Sequence, residues 1–194
     1  TNILVRDAGV RGAVISTRKS LNKIELIDQS NYLVEVGVSC FELAMYATKN
    51  NFGPAAFFSG IPGSIGGALT MNAGCFGNET WEFVKSVEVM DRNGEIHQLD
   101  PEEFSISYRS VGFPFPLWFL SCEMSFPEEG FTTIEELKSM RDSRLERQPL
   151  TENTCGSVFK NPDGNHAGDL IERSSLKGFR IGGCSVSEKH ANFI

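Results

Sequence analysis

The stretch Gly60-Ile-Pro-Gly-Ser-Ile-Gly-Gly-Ala-Leu-Thr-Met-Asn-Ala-Gly-Cys-Phe-Gly77 constrains this chain more than any other. Gly60, Gly63 and Gly66 recur at every third position, and Gly67, Gly74 and Gly77 follow. Glycine tolerates φ > 0 and lets a backbone approach a ligand with no Cβ in the way. Pro62 stiffens the turn, and Ser64 adds a hydroxyl beside a run of N–H groups that can cradle a pyrophosphate. No Gly-Lys-Ser/Thr follows, so this is not a P-loop, and the spacing departs from the dinucleotide G-x-G-x-x-G. On spacing alone, an anion cradle and the plain tight turns of a sheet-rich protein both stay open.

The 194 residues allow one or two domains. Hydrophobic content of 40% and charged content of 22% suit an ordinary folded protein. A formal charge of −7 with no basic block argues against nucleic-acid and membrane-surface partners. No apolar run reaches membrane-spanning length, and a monomer in the bacterial cytoplasm is the expectation. Cys40, Cys75, Cys122, Cys155 and Cys184 lack C-x-x-C pairing and read as reduced thiols. His97, His166 and His190 lack helical pairing, so no metal centre is expected. The chain opens on Thr1 without a methionine and closes on the apolar Ile194, the pattern of a fragment.

Residues 3–5 and 13–16 read as short strands, and 23–27 and 33–38 alternate apolar and polar residues as half-buried strands do. Residues 41–50 change to helical spacing behind Ser39 as N-cap. A short helix is expected over 65–71. Residues 84–90 and 95–99 flank Asp91-Arg-Asn-Gly94 as a hairpin, Asp100-Pro-Glu-Glu103 opens a short helix, and 118–126 reads as a buried strand. Composition shifts near Pro127, which sets expected domains of 1–127 and 128–194. Thr133-Ile-Glu-Glu136 is a capping box opening a helix with Ile134, Leu137, Met140 and Leu145 inward. Arg141, Arg144 and Arg147 run along its flank, which on charge pattern alone is a solvated edge paired with Asp142 and Glu146. Residues 167–178 form a second helix ended by Gly178, and 179–187 return to strand.

Gly60-Ile-Pro-Gly-Ser-Ile-Gly-Gly67 with Met71-Asn-Ala-Gly74 resembles the flavin-binding segment of UDP-N-acetylenolpyruvoylglucosamine reductases. Further matches come in the family's order: Thr1-Asn2 with Asp7-x-Gly9, Tyr108-Arg-Ser110, Cys155-Gly-Ser-Val-Phe-Lys-Asn-Pro162 and Ser187-Glu-Lys-His-Ala-Asn-Phe-Ile194. Cys155 stands where the family has alanine. The resemblance implies an α+β chain: a two-lobed FAD-binding domain of the vanillyl-alcohol-oxidase type, then a smaller α+β substrate-binding domain. It implies NADPH-dependent, FAD-mediated reduction of UDP-N-acetylglucosamine enolpyruvate to UDP-N-acetylmuramate, a step of peptidoglycan precursor synthesis.

Carried over residue by residue, the resemblance assigns FAD contacts to Asn2, Gly60, Pro62, Gly63, Ser64, Ile65, Gly66, Gly67, Asn72 and Ala73. It makes Ser157 the acid that protonates C2 of the enolpyruvyl group, assisted by Lys160 or Arg109, and Arg109 the stabiliser of the enolate. Tyr108, Arg144, Arg147, Lys160, Asn161 and Asn192 become substrate contacts, the two arginines toward the diphosphate. Without the family, Arg109 reads as a strand-end salt-bridge residue and Gly156-Ser157 as a turn. Glu188 and His190 read as a surface turn, not an acid–base pair. The family's C-terminal glutamate would lie beyond Ile194, and the shorter type lacking a tyrosine-bearing loop is implied. Two other readings stand beside this one: a different FAD oxidoreductase of the vanillyl-alcohol-oxidase type, and a truncated chain without turnover.

Overall fold

Alternation over the second strand puts Tyr32, Val34, Val36 and Val38 on one buried face, each no more than 2% exposed. The structure, a computed structural model, describes residues 3–51, 54–127, 130, 132–154 and 156–194. The chain divides into two compact units, Thr1–Leu137 and Lys138–Ile194. This division falls inside a helix, beyond the composition change near Pro127.

The elements begin with β1 (Ile24–Leu26), β2 (Asn31–Glu35), α1 (Cys40–Lys49) and α2 (Ile65–Met71). Then come β3 (Gly74–Cys75), β4 (Asn78–Glu79), β5 (Val84–Asp91), β6 (Ile96–Leu99), β7 (Ser105–Ser107), β8 (Ser110–Gly112) and β9 (Leu117–Ser125). After these lie α3 (Ile134–Arg147), α4 (Ala167–Arg173), β10 (Arg180–Ile181) and β11 (Cys184–Ser185). Short 3₁₀ turns occupy Pro54–Gly60, Thr80–Phe83 and Pro101–Glu103.

In the first unit an antiparallel sheet runs in the order β1-β2-β9-β5-β6. Tyr32 opposes Met124 and Val34 opposes Cys122 across β2 and β9, while Val87 opposes both Cys122 and Leu99. Their buried side chains meet α1 and the Pro54–Gly60 turn, which bring in Leu43, Ala44, Ala47, Ala55, Phe57 and Phe58. Phe57 and Phe58 lie with ring centroids 4.1 Å apart, and Phe126 touches Tyr32, Phe58 and Phe83. Full burial of such a ring contributes about 1.5–3 kcal/mol. Burial also pushes the Cys40 thiol up to about 12 and raises that of Cys122.

Local signals explain the helix ends. Ser39 Oγ accepts from Glu42 N–H at 3.1 Å while the Glu42 carboxylate accepts from Ser39 N–H at 2.9 Å, a reciprocal cap that opens α1. Thr133 and Glu136 do the same for α3 at 3.1 and 2.7 Å. Leu137 of that helix is buried and Ile134, Met140 and Leu145 are half-buried.

Three expectations need correction. Residues 3–5 and 13–16 form no strand, because strand-prone runs need an edge to pair with and no described residue pairs with them. The helix expected over 167–178 stops at Arg173. Ser175 takes the left-handed conformation at φ 57, with Ser175 N–H on Glu172 O at 2.9 Å and Leu176 N–H on Ile171 O at 3.3 Å. This is a Schellman closure with serine in the place glycine usually takes. Gly178 instead meets the second strand region through its N–H on Val186 O at 2.9 Å, and the expected strand 179–187 is the small hairpin of β10 and β11.

Gly37 carries a requirement of its own. Its N–H donates to Leu21 O at 2.6 Å, and a Cβ there would lie 2.4 Å from the carbonyl oxygens of Leu21 and Thr17. Gly37→Ala should therefore lower stability by about 3 kcal/mol, seen as a drop in the thermal midpoint; an unchanged midpoint would mean that residues 17–21 do not cross there. Ser175→Gly should raise stability by about 1 kcal/mol, by relieving a left-handed L-residue. A less stable glycine variant would contradict the conformation assigned to Ser175.

Candidate functional site

The glycine stretch is sutured to the sheet. Ile65 N–H donates to Val38 O and Gly66 N–H to Val36 O, both at 2.9 Å, and Cys40 N–H donates to Gly63 O at 3.1 Å. A Cβ on Gly66 would lie 3.1 Å from Val36 Cβ and 3.3 Å from Val36 O, so this glycine serves close backbone packing. The run of open N–H groups expected from sequence is thus interrupted: Ile65 and Gly66 point theirs inward. Ile65 is fully buried, and Gly60 is buried as well.

The other side of the turn is open. Pro62 and Gly67 are exposed, and Ser64 is half-buried with no side-chain cap bond to α2. Gly63 holds φ 121, and a Cβ on Gly67 would meet only Ser64 Oγ, at 3.9 Å. The N–H groups of Gly63, Ser64 and Gly67 donate to no acceptor among the described residues. The first residue of the resemblance, Asn2, lies outside the described residues.

At its far end α2 closes through Asn72, left-handed at φ 43, with Ala73 N–H on Ala68 O at 2.9 Å. The Asn72 side chain is 2% exposed. Its Nδ2 donates to Glu79 Oε2 at 2.6 Å and to Ser107 O at 3.3 Å, and its Oδ1 accepts from Trp81 N–H at 3.2 Å. Ala73 O in turn accepts from the Thr80 hydroxyl at 2.6 Å, and Trp81 Nε1 donates to Leu69 O at 2.8 Å. The side chain of Asn72 thus has protein partners for both its amide nitrogen and its oxygen. Sequence reading missed this network, because its partners are seven to thirty-five residues apart.

The bond to Ser107 fixes a hairpin. Ser107 opposes Ser110 across β7 and β8, so Tyr108 and Arg109 form a two-residue turn with Arg109 at φ 50. That position favours glycine or asparagine, and a bulky L-residue held there is a mark of functional constraint. Tyr108 is 48% exposed. The glycine turn opens α2 and Asn72 closes it, so both ends of one seven-residue helix, about 10 Å long, carry candidate site residues.

The second unit holds Ser157 in a loop after Gly156, at φ 83. Asn192, expected as a substrate contact, is 3% exposed and grips this loop. Its Oδ1 accepts from Phe159 N–H and its Nδ2 donates to Phe159 O, both at 2.9 Å, and its main-chain carbonyl accepts from Val158 N–H at 2.9 Å. Asn161 Oδ1 accepts from Ala167 N–H at 3.0 Å and so ties down the start of α4. Arg144 donates through Nε and Nη2 to Gln148 Oε1 at 3.1 and 2.6 Å. Arg147 and Lys160 are exposed.

His190 is half-buried in its turn. Its Nδ1 accepts from Asn192 N–H at 3.2 Å, and its ring fills the space over Gly168, where a Cβ would lie 3.0 Å from Cε1. Elsewhere, Asp91, Glu95 and His97 bring ligand atoms within 4.8 Å of one another at the β5–β6 turn. Asp91 Oδ1 already accepts from Asn93 and Glu95 N–H at 2.8 and 2.9 Å, so this cluster is the turn's own hydrogen bonding. Among the described residues no helix is long and apolar enough to cross a membrane.

Burial holds the His190 imidazole below its ordinary value, and Lys177 adds to this, against a backbone hydrogen bond, Asp169 and Glu172. Between its lowered folded pKa and the ordinary value near 6.5 the unfolded chain binds more protons, so stability rises with pH through that window. The thermal midpoint should hold above about pH 6.5 and fall below it, and His190→Gln should flatten that fall. An equal fall in the variant would assign it to another group.

Residues 1–100 match the FAD binding domain family, and residues 148–194 match the C-terminal domain of UDP-N-acetylenolpyruvoylglucosamine reductase. The whole chain aligns with the UDP-N-acetylenolpyruvoylglucosamine reductase of Legionella pneumophila (strain Paris) at 45% identity over 64% of that protein, and with those of Alkalilimnicola ehrlichii and Methylococcus capsulatus at 43% over 65% and 64%. The chain thus spans just under two thirds of the length of these curated relatives. A crystal structure of the Thermus caldophilus UDP-N-acetylenolpyruvylglucosamine reductase superposes with a TM-score of 0.73 at 29% identity, covering 83% of this chain and 60% of that one. A two-domain FAD-binding fold with a smaller second domain is what these likenesses support, and the chain belongs to the FAD binding domain family.

Proposed function

We propose that this chain takes part in the NADPH-dependent reduction of UDP-N-acetylglucosamine enolpyruvate to UDP-N-acetylmuramate, with FAD as its cofactor. The observation that carries this reading is the pairing of a glycine turn, open on one side, with an arginine held left-handed on a hairpin fastened to the same short helix. The open side fits a phosphate-bearing cofactor: Gly63, Ser64 and Gly67 present N–H groups and a hydroxyl where no side chain blocks approach. Ser59, one residue before Gly60, adds a buried hydroxyl with no partner among the described residues.

FAD, when bound, would supply the two-electron chemistry between NADPH and C3 of the enolpyruvyl group. The chain's own residues then have two tasks. Arg109, cationic at any working pH, stabilises the negative charge that develops on the enolpyruvyl carboxylate. Ser157 donates a proton to C2, so that one hydride and one proton add across the double bond. A serine hydroxyl is too weak an acid to act unaided, so its role demands tight alignment and a relay that returns the proton. Arg144, Arg147 and Lys160 suit the diphosphate by charge, with Tyr108 beside Arg109 as a further substrate contact.

The test is the visible spectrum of the full-length protein without air. A flavin band should bleach on adding NADPH and recover on adding the enolpyruvyl sugar nucleotide. Ser157→Ala should slow recovery at least about 100-fold while bleaching proceeds at the native rate. Recovery that only oxygen brings about would sink the reading in favour of another flavin oxidoreductase. Arg109→Gly should slow recovery by a similar factor, yet leave the thermal midpoint at or above the native value, because glycine suits φ 50. A large loss of stability in that variant would show that Arg109 serves the fold instead.

A further inference from the structure

Residues 156–160 carry Ser157, and none of them lies in a helix or strand. A weak acid acts only from an aligned position, and a misplacement of about 1 Å can cost about 100-fold in rate. Something must therefore hold this segment still.

Asn192 does so with three hydrogen bonds at 2.9 Å: to Phe159 N–H, to Phe159 O and to Val158 N–H. Its side-chain amide mimics a strand neighbour, satisfying donor and acceptor of one residue together. The grip is on the main chain alone. Val158 and Phe159 remain 38% and 56% exposed, whereas Asn192 is 3% exposed. The clamp is itself braced. Asn192 N–H donates to His190 Nδ1 at 3.2 Å, Phe193 N–H to His190 O at 3.0 Å, and Ser187 N–H to Phe193 O at 2.9 Å. Ser187 Oγ accepts from Lys189 N–H at 3.2 Å, and the His190 ring packs 4.9 Å from that of Phe193.

We propose that Asn192 is a positioning residue for Ser157: it holds the Val158–Phe159 backbone so that the Ser157 hydroxyl stays aligned, and it touches no substrate. This rests on the role of Ser157 as proton donor. Asn192→Asp tests it with little change of shape, keeping the acceptor for Phe159 N–H while setting an oxygen against Phe159 O. Asn192→Ala removes both side-chain bonds.

Three readouts on the full-length holoenzyme decide the matter. Amide hydrogen exchange at Val158 and Phe159 should accelerate in both variants, whatever the reaction. In turnover, kcat should fall about 10- to 100-fold with KM for the sugar nucleotide within about twofold and flavin bleaching by NADPH unchanged. In a double-mutant cycle, Ser157→Ala/Asn192→Asp should reoxidise no more slowly than Ser157→Ala alone, because Asn192 acts only through the serine. Additive losses, or a KM that rises with kcat intact, would overturn the positioning role and make Asn192 a substrate contact or a plain fold residue. Native exchange at 158 and 159 would overturn the clamp itself. If Ser157→Ala turns over at the native rate, the reading of Ser157 as acid fails, which the exchange data keep separate from a failure of the clamp.

Discussion

The short segment Val36-Gly-Val38 is the tie on which the first unit depends. It extends β2 past its paired residues, and its main-chain groups reach several different partners. Val36 N–H reaches Leu120 O, Val36 O and Val38 O accept from Gly66 and Ile65, and Gly37 N–H reaches Leu21 O. One strand end thus joins the sheet, the glycine turn and the chain running over 17–21. Two glycines make this possible: a Cβ at Gly37 or Gly66 would press against backbone oxygen. Buried peptide groups left unpaired would cost about 1–3 kcal/mol each, so the close approach is a requirement of hydrogen bonding as much as of packing.

That tie also decides what the glycine turn can offer a ligand. A turn whose N–H groups all faced outward would be a floppy loop. Here two face inward as anchors, and the neighbours on the open side keep theirs. The opposite end of α2 follows the same logic with asparagine. Asn72 accepts the left-handed conformation that closes the helix and uses its amide to hold Glu79, Trp81 and Ser107. The hairpin bearing Arg109 is located by that amide, so a buried polar residue positions a cation at one remove.

The second unit repeats the pattern with less regular structure. Two of its asparagines, Asn161 and Asn192, bond to main chain and shape the loop around Ser157. An amide side chain has a donor and an acceptor in fixed geometry, which suits it to brace a loop that has no strand partner. A motif residue of this kind can matter to a reaction without ever meeting a substrate.

Much of the scaffold was legible in the chain itself. Strand alternation, the Ser39–Glu42 and Thr133–Glu136 caps, the helix over 65–71 and the hairpin at Asp91 all rest on neighbours within a few residues, and local sequence suffices for those. The glycine turn, Arg109 and the Ser157 loop are marked as candidate sites by short strings that resemble the reductase family's; read without it, Arg109 is a strand-end salt-bridge residue and Gly156-Ser157 a turn. What sequence could not assign was the direction each group faces. Residues 3–5 and 13–16 have strand propensity but no described partner, and the α4 terminus moved from Gly178 to Ser175 because Ser175 N–H and Leu176 N–H close on Glu172 and Ile171. Asn72 and Asn192 are buried by bonds to distant backbone that no short string announces. A side chain's type sets which bonds it can make, and that is local; which partner takes them depends on backbone brought near from distant positions, and only the tertiary structure decides that.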